Sequence, residues 1–132
     1  RQGLRATVIG WDVWDRLASD AALPGTFLYV APFDLGADRA ETRSFVAAFR
    51  AAYRREPTPF AALGYDAVRL LAHVAGGVGT DRAAIRDGLA ALTPESAHAG
   101  ATGPVSFDSV GSVVGPRPVV VALPRRAGGG AR

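Results

Sequence analysis

The chain has 132 residues and a formal net charge of +3 at pH 7, and its 48% hydrophobic content suits about one globular domain. It has no cysteine, which excludes disulfides and thiolate metal sites, and no apolar run approaches the ~18 residues of a membrane span. All 15 basic residues are arginines, dispersed rather than interleaved with aromatic residues, so the positive charge does not predict nucleic-acid binding.

Two strands and a short helix are predicted near the start of the chain. The β-rich run Ala6 to Gly10 ends at glycine and predicts a buried strand. Trp14 to Leu23 predicts a helix, which the following Pro24 and Gly25 end. Thr26 to Phe33 is rich in β-branched and aromatic residues and predicts a second strand.

Three helices are predicted next. Asp38 is expected to cap the first, with Glu41 three residues on completing a capping box. Thr58 is expected to cap the second, with Pro59 at its first helical position. Thr80 is expected to cap the third, which ends near Pro94. The residues expected on the buried faces of the first two helices are Phe45, Phe49, Ala52 and Tyr53, then Leu63, Ala67, Leu70, Leu71 and Val74.

The last part of the chain changes from helical to strand periodicity. Val105 and Phe107 indicate a short strand, Asp108 to Ser112 a turn, and Val119 to Leu123 an apolar strand. The resulting order is strand, helix, strand, three helices, strand, strand. This order predicts an α/β sheet covered by helices. Because four short strands leave long edges unpaired, we expect the chain to be part of a larger sheet system completed by other residues.

Candidate functional residues are few. Trp11 and Asp12 follow the first predicted strand, where ligands bind in open α/β sheets. A carboxylate there can accept hydrogen bonds from an ammonium group, and a tryptophan face can line a pocket. The residues alone leave a second interpretation open, in which the tryptophans are core residues and Asp12 forms a turn. His73 and His98 share no metal-ligand spacing and are interpreted as structural histidines.

Several motifs follow one another in a distinctive order. They are a helix from Phe45 to Tyr53, a following proline, the helix carrying "GYDA" at Gly64 to Ala67, and "GATGPVSFDSVGS" from Gly100 to Ser112. This order resembles the second half of type I periplasmic solute-binding proteins, in particular the leucine/isoleucine/valine-binding family of ABC importers. The likeness extends to about Leu123. No nucleophile elbow or P-loop is present, and no enzyme is expected.

The resemblance implies a two-lobed α/β fold with a mostly parallel sheet, of which the N-terminal part is missing. Residues 1–31 would belong to the second lobe and end in a crossing strand, and residues 32–103 would form the helical part of the first lobe. Residues 104–124 would cross back and return to the second lobe, and residues 125–132 would form a flexible tail. Such a piece is expected to be marginally stable alone.

The resemblance also implies a site. Asp12 occupies the place of the acid that holds a ligand ammonium group in amino-acid binders, although many relatives have the longer glutamate. Trp11 would border the same pocket, and Phe60 would line the cleft between the lobes. Tyr65 and Asp66 are expected to serve helix packing and local hydrogen bonding.

The implied function is capture of a branched-chain or other small amino acid, or an amide, by the extracytoplasmic component of an ABC importer. The expected partners are the ligand and the membrane subunits of the importer, with no cofactor, no metal and no nucleic acid. The expected location is the periplasm or the cell surface, as for lipoproteins, with the export signal outside this chain. An alternative is a ligand-sensing domain of a receptor or kinase with the same fold, and an enzyme on a generic α/β sheet ranks third.

Overall fold

The computed structural model describes residues 8–10, 27–31, 33–34, 36–115 and 117–122. The helix predicted for Trp14 to Leu23 lies outside these residues. The elements, in chain order, are β1 (Val8–Gly10), β2 (Phe27–Ala31), α1 (Ala40–Tyr53), α2 (Pro59–Val78), α3 (Arg82–Ala90), β3 (His98–Ala99), β4 (Pro104–Phe107), β5 (Val113–Val114) and β6 (Val119–Ala122).

The chain divides into two compact units, one formed by Arg1–Pro32 with Pro118–Arg132 and the other by Phe33–Arg117. The first unit contains a three-stranded sheet in the order β1-β2-β6, in which β1 is parallel and β6 antiparallel to β2. Ile9 and Val120 are both exposed. The described residues of this unit therefore leave apolar side chains of its sheet uncovered.

The second unit begins with α1, whose start differs from the prediction. Arg39 is the N-cap, and no side chain accepts a capping hydrogen bond. Asp38 pairs instead with Arg43, because the helix starts one residue later than the capping box requires. The buried face is narrower than predicted: Phe45 is buried, whereas Tyr53 is exposed at the end of the helix.

The start of α2 confirms the prediction. The Thr58 Oγ1 atom accepts a hydrogen bond from the Ala61 N–H at 3.2 Å, and Pro59 is the first helical residue. The helix continues through two glycines to Val78 and ends at Gly79, which has φ 83°. Glycine inside a helix costs about 1 kcal/mol relative to alanine, which this long helix tolerates, so the glycine-rich segment ends the helix only at Gly79.

The buried face of α2 is rotated from the predicted one. Ala62, Asp66, Leu70 and Val74 are buried, at intervals of four residues. Leu70 and Val74 were expected there, but the predicted Leu63, Ala67 and Leu71 are exposed. The presence of Asp66 on the buried face explains the rotation, since its carboxylate has hydrogen-bond partners inside the unit.

The third helix is capped by Asp81 rather than Thr80, because the Asp81 Oδ1 atom accepts a hydrogen bond from the Ala84 N–H at 2.9 Å. It ends at Ala90, earlier than predicted. A Cβ atom on Gly88 would lie 2.7 Å from Val74 Cγ1, so a glycine here lets α3 approach α2 closely. The buried hydrophobic residues form two core clusters: Phe33, Phe45, Val46, Ala62 and Ala101, then Leu70, Val74, Leu92 and Val105.

The turn between β4 and β5 confirms the prediction for Asp108 to Ser112. The Asp108 Oδ1 atom accepts hydrogen bonds from the backbone N–H groups of Val110 at 3.0 Å and Ser112 at 2.8 Å. Two glycines at this hairpin have positive φ, 84° at Gly111 and 136° at Gly115. Their surroundings differ, because a Cβ atom on Gly115 would lie 1.8 Å from the Pro104 carbonyl oxygen, whereas one on Gly111 meets nothing within 4 Å.

This difference predicts unequal alanine substitutions. Gly111→Ala is expected to lower the free energy of unfolding by about 1 kcal/mol, the cost of a left-handed conformation alone. Gly115→Ala is expected to cost about 3 kcal/mol, because backbone must also move away from the new methyl group. Urea denaturation of the two variants measures both values. Equal losses would contradict the close approach of Gly115 to β4.

Candidate functional site

The structure describes one of the three residues that the resemblance assigns to the ligand. Trp11 and Asp12 lie outside the described residues, so their roles remain predictions. Phe60 is the second residue of α2, and 61% of its surface is exposed. The Thr58 cap fixes the first turn of this helix. Phe60 therefore offers an apolar ring at a defined helix start, with no described partner that buries it.

The exposed ring belongs to a longer apolar surface of α2. Leu63, Leu71 and Val78 are also exposed and follow Phe60 along one side of the helix. We call these four residues the α2 stripe. A helix face of this composition ordinarily packs against another apolar surface. Two of its residues, Leu63 and Leu71, were predicted in the core, and the stripe finds no cover among the described residues.

The aspartate of the "GYDA" motif is the most buried carboxylate of the described residues, with 5% of its surface exposed. The Asp66 Oδ1 atom accepts a hydrogen bond from the Ala101 N–H at 2.7 Å. Its Oδ2 atom accepts two, from the Thr102 N–H at 2.8 Å and from the Thr102 hydroxyl at 2.6 Å. The Thr42 hydroxyl of α1 donates to the Ala101 carbonyl oxygen at 2.8 Å. Side chains of two helices thus hold the segment from Gly100 to Gly103, which we call the 100–103 loop.

These contacts give Asp66 a structural role. Both of its oxygens are engaged and it is buried, so it has no described face for a ligand. The expected hydrogen-bonding role is present, but the partner Ala101 lies 35 residues away in the sequence rather than nearby. Tyr65 also packs as expected, with its ring centre 4.9 Å from that of Phe45. The motif therefore joins the helices to the 100–103 loop.

The two histidines of the chain are neighbours in space. The ring centres of His73 on α2 and His98 on β3 are 5.2 Å apart. Burial lowers the pKa of His98, its neighbours His73 and Arg69 lower it further, and the Asp66 carboxylate opposes them. The sequence contains no spacing signal for this pair, because the fold alone brings β3 alongside α2.

A groove of about 550 Å³ lies between α3 and the β4–β5 turn. Ile85, Leu89 and Phe107 supply apolar lining, and Arg82 and Arg86 also line the groove. Arg86 is already paired with Asp87 at 2.7 Å. The sequence contains no local signal for this groove, since its lining comes from a helix and a turn about 20 residues apart in the chain.

The described residues offer neither a three-ligand metal centre nor a membrane-spanning helix. Within residues 8–10, 27–31, 33–34, 36–115 and 117–122, no three histidine, aspartate or glutamate side chains gather as a metal site would require. Among the same residues, no helix combines the length and apolar character needed to cross a bilayer.

Comparison with known proteins gives both a family and a set of similar folds. A family model described as "Periplasmic binding protein" matches residues 1–120. An ABC transporter substrate-binding protein from Desulfitobacterium hafniense, solved in complex with Leu, is 30% identical with a TM-score of 0.74, over 89% of this chain and 33% of that one. No match was found among curated proteins.

Two other solved structures extend the range of bound ligands. The branched-chain amino acid transporter substrate binding protein LivJ from Streptococcus pneumoniae, in complex with isoleucine, is 26% identical with a TM-score of 0.70, over 91% of this chain and 38% of that one. A solute binding protein of an ABC transporter from R. palustris, in complex with benzoate, is 27% identical with a TM-score of 0.65, over 81% and 29%. The chain spans about a third of the length of these structures.

Proposed function

The chain belongs to the periplasmic binding protein family and has the type I fold of that family, and from this premise we propose that the full-length protein captures a small amino acid for an ABC importer. The family and the neighbours are binding proteins rather than enzymes. The single observation that carries the proposal is the likeness to a substrate-binding protein solved with Leu, at 30% identity over 89% of this chain.

The ligands of the neighbours share one chemical plan. Leucine, isoleucine and benzoate each carry a carboxylate on an apolar body, and the two amino acids add an ammonium group. A branched-chain amino acid is the ligand class that we propose, because two of these three neighbours hold one. The ammonium group is what separates this class from an aromatic acid, so a residue that recognises it decides the specificity.

We assign three side chains of this chain to the ligand, in the cleft between lobes that the resemblance implies. The Asp12 carboxylate would accept hydrogen bonds from the ammonium group, which are stronger than neutral ones because both partners are charged. Trp11 would border the apolar body of the ligand. Phe60 would add a second aromatic wall, and its exposed ring at the start of α2 supports this role.

Ligand binding would favour the closed form of the full-length protein, because the ligand gains contacts with both lobes only when they meet around it. We propose that the membrane subunits of an importer recognise that closed form. The corresponding location is the periplasm or the cell surface. The finding that supports it is the family match over residues 1–120.

Calorimetric titration of the full-length protein tests this function. We expect leucine, isoleucine or valine to bind at micromolar or lower dissociation constants, about −8 kcal/mol or better, and benzoate to bind at least tenfold more weakly. Absence of binding by every amino acid tested would refute the proposal. Tight binding of benzoate alone would support capture of a small molecule but would make the ligand an aromatic acid rather than an amino acid.

The same titration tests the place of Phe60. Phe60→Ala is expected to weaken amino-acid binding by about 1–2 kcal/mol, since an aromatic wall is lost from the pocket, with little change in stability because the ring is exposed. Val68 is on the same helix, is also exposed and lies off the α2 stripe. Val68→Ala is therefore the matched control, and equal effects of both variants would remove Phe60 from the site.

A further inference from the structure

The groove between α3 and the β4–β5 turn has no role in the proposed capture of an amino acid. Its volume is about 550 Å³, within the range of about 300–1,000 Å³ that holds small organic molecules. Its lining residues lie between Arg82 and Gly111, so all of them belong to the second unit. The groove is therefore a candidate for a second ligand site.

The apolar lining of the groove is partly exposed. Ile85 and Leu89, one helical turn apart on α3, and Phe107 of β4 are half-buried. All three pack against the core cluster that contains Leu70, and contact with an apolar ligand would remove more of their surface from water. Because a helix rises 1.5 Å per residue, the α3 lining from Arg82 to Ala90 extends for about 12 Å. Such a length favours an aliphatic chain over a compact ring.

Arg82 gives the groove a group that can bind an anion. It is the first residue of α3 and lines the groove. Among the described residues it takes part in no ion pair, whereas Arg86 is paired with Asp87 at 2.7 Å. A guanidinium group can hold a carboxylate through two parallel hydrogen bonds. The groove therefore combines an apolar wall with a carboxylate-binding group.

Asp108 determines which wall an anion would use. It lies on the turn side of the groove, and its Oδ1 atom accepts hydrogen bonds from the backbone N–H groups of Val110 and Ser112. Its negative charge repels a carboxylate from the turn. An anionic ligand would therefore place its carboxylate against α3, at Arg82.

We propose that this groove binds a monocarboxylic acid with an aliphatic chain. The carboxylate pairs with Arg82, and the chain lies along Ile85, Leu89 and Phe107. Arg86 adds a smaller attraction, because Asp87 already compensates its charge. The proposal holds whether or not the protein captures an amino acid, since the groove is lined by other residues than those assigned to that ligand.

Calorimetric titration of the full-length protein with octanoate tests the proposal, with octanol as the uncharged control. We expect octanoate to bind with a dissociation constant below about 1 mM and octanol to bind at least about fivefold more weakly. Arg82→Gln should lower the octanoate affinity at least about fivefold and leave the octanol affinity unchanged, and Arg86→Gln should have a smaller effect. Equal affinities of the parent protein for octanoate and octanol would overturn the proposal.

Ala90→Phe tests the location of the ligand. Ala90 is exposed at the end of α3 and lines the groove, so a ring there would occupy the space of the chain and lower octanoate affinity at least about tenfold. Ala83 is also exposed on α3 but does not line the groove. Ala83→Phe is therefore the matched control and should bind octanoate as the parent does. The proposal fails if both variants bind octanoate as the parent does, or if the parent binds none up to about 5 mM.

Titration with leucine separates the groove from the amino-acid site. Leucine affinity should be unchanged by Ala90→Phe and by saturating octanoate. Octanoate that displaces leucine and still binds Ala90→Phe would lie in the amino-acid site, which would overturn the proposal. A parent dimer in sedimentation that Ala90→Phe dissociates would assign the groove to a second copy of the chain, and would also overturn it. Octanoate binding that responds to Ala90→Phe, without any leucine binding, would support the groove and refute only the proposed function.

Discussion

Replacing Asp66 with alanine is expected to lower the free energy of unfolding by about 3–5 kcal/mol, because three hydrogen-bond donors lose a charged acceptor at once. The Ala101 N–H is buried with the loop and has Asp66 as its acceptor at 2.7 Å. A donor left unpaired in that position keeps its full desolvation cost. Urea denaturation of the variant and of the parent protein measures the difference.

The control for this substitution is Asp108→Ala. Asp108 also accepts hydrogen bonds from two backbone N–H groups, but it lies in an exposed turn, where water replaces the lost acceptor. We expect a loss of at most about 1 kcal/mol there. Asp66→Asn should be intermediate, because an amide keeps one acceptor and directs N–H groups towards other donors. Equal losses for Asp66→Ala and Asp108→Ala would contradict the proposed importance of burial.

Asp12→Ala in the full-length protein is expected to weaken amino-acid binding by about 2–5 kcal/mol, or roughly thirtyfold to several thousandfold. The reason is that the ligand ammonium group would be buried without its negative partner. Isothermal calorimetry with leucine measures the change. The effect should be absent for benzoate, which has no ammonium group, and a uniform loss for both ligands would indicate damage to the fold.

Asp15→Ala is the matched control in the same stretch of sequence. Asp15 is a carboxylate three residues further on that sequence analysis assigns to the start of a helix, not to the ligand. The Asp15→Ala substitution should leave the affinity for leucine within about 0.5 kcal/mol of the parent value. Unchanged affinity of Asp12→Ala for every amino acid that the parent binds would remove Asp12 from the site.

Two features that depend on neighbouring residues, the start of α2 and the β4–β5 turn, were predicted correctly, whereas the caps predicted for α1 and α3 were each one residue too early. Thr58 and Pro59 start α2 as expected, because a capping hydroxyl and a proline act on backbone groups within one helical turn. The turn from Asp108 to Ser112 follows from the same kind of local chemistry. Each of these signals is complete within about five residues of sequence, so no tertiary information was needed.

Features that depend on distant residues were not predicted. The amphipathic pattern of α2 predicts Leu63 and Leu71 as core residues, yet both are exposed while Asp66 is buried. Burial of a carboxylate is decided by the donors that surround it, and these come from the 100–103 loop. The proximity of His73 and His98 has the same origin. Hydrophobic periodicity carries no information about such partners.

The 100–103 loop has a consequence for how the second unit forms. The Asp66 carboxylate, 35 residues before Ala101, accepts a hydrogen bond from the Ala101 N–H. The Thr42 hydroxyl, 59 residues before Ala101, donates one to the Ala101 carbonyl oxygen. The short strand that follows the loop starts at Pro104. Water satisfies both side chains until the loop reaches the two helices, so these contacts form only after a long stretch of chain has closed. A nascent chain that stops before Ala101 therefore holds two helices whose Thr42 and Asp66 side chains are hydrated, and closing the unit exchanges that water for the loop.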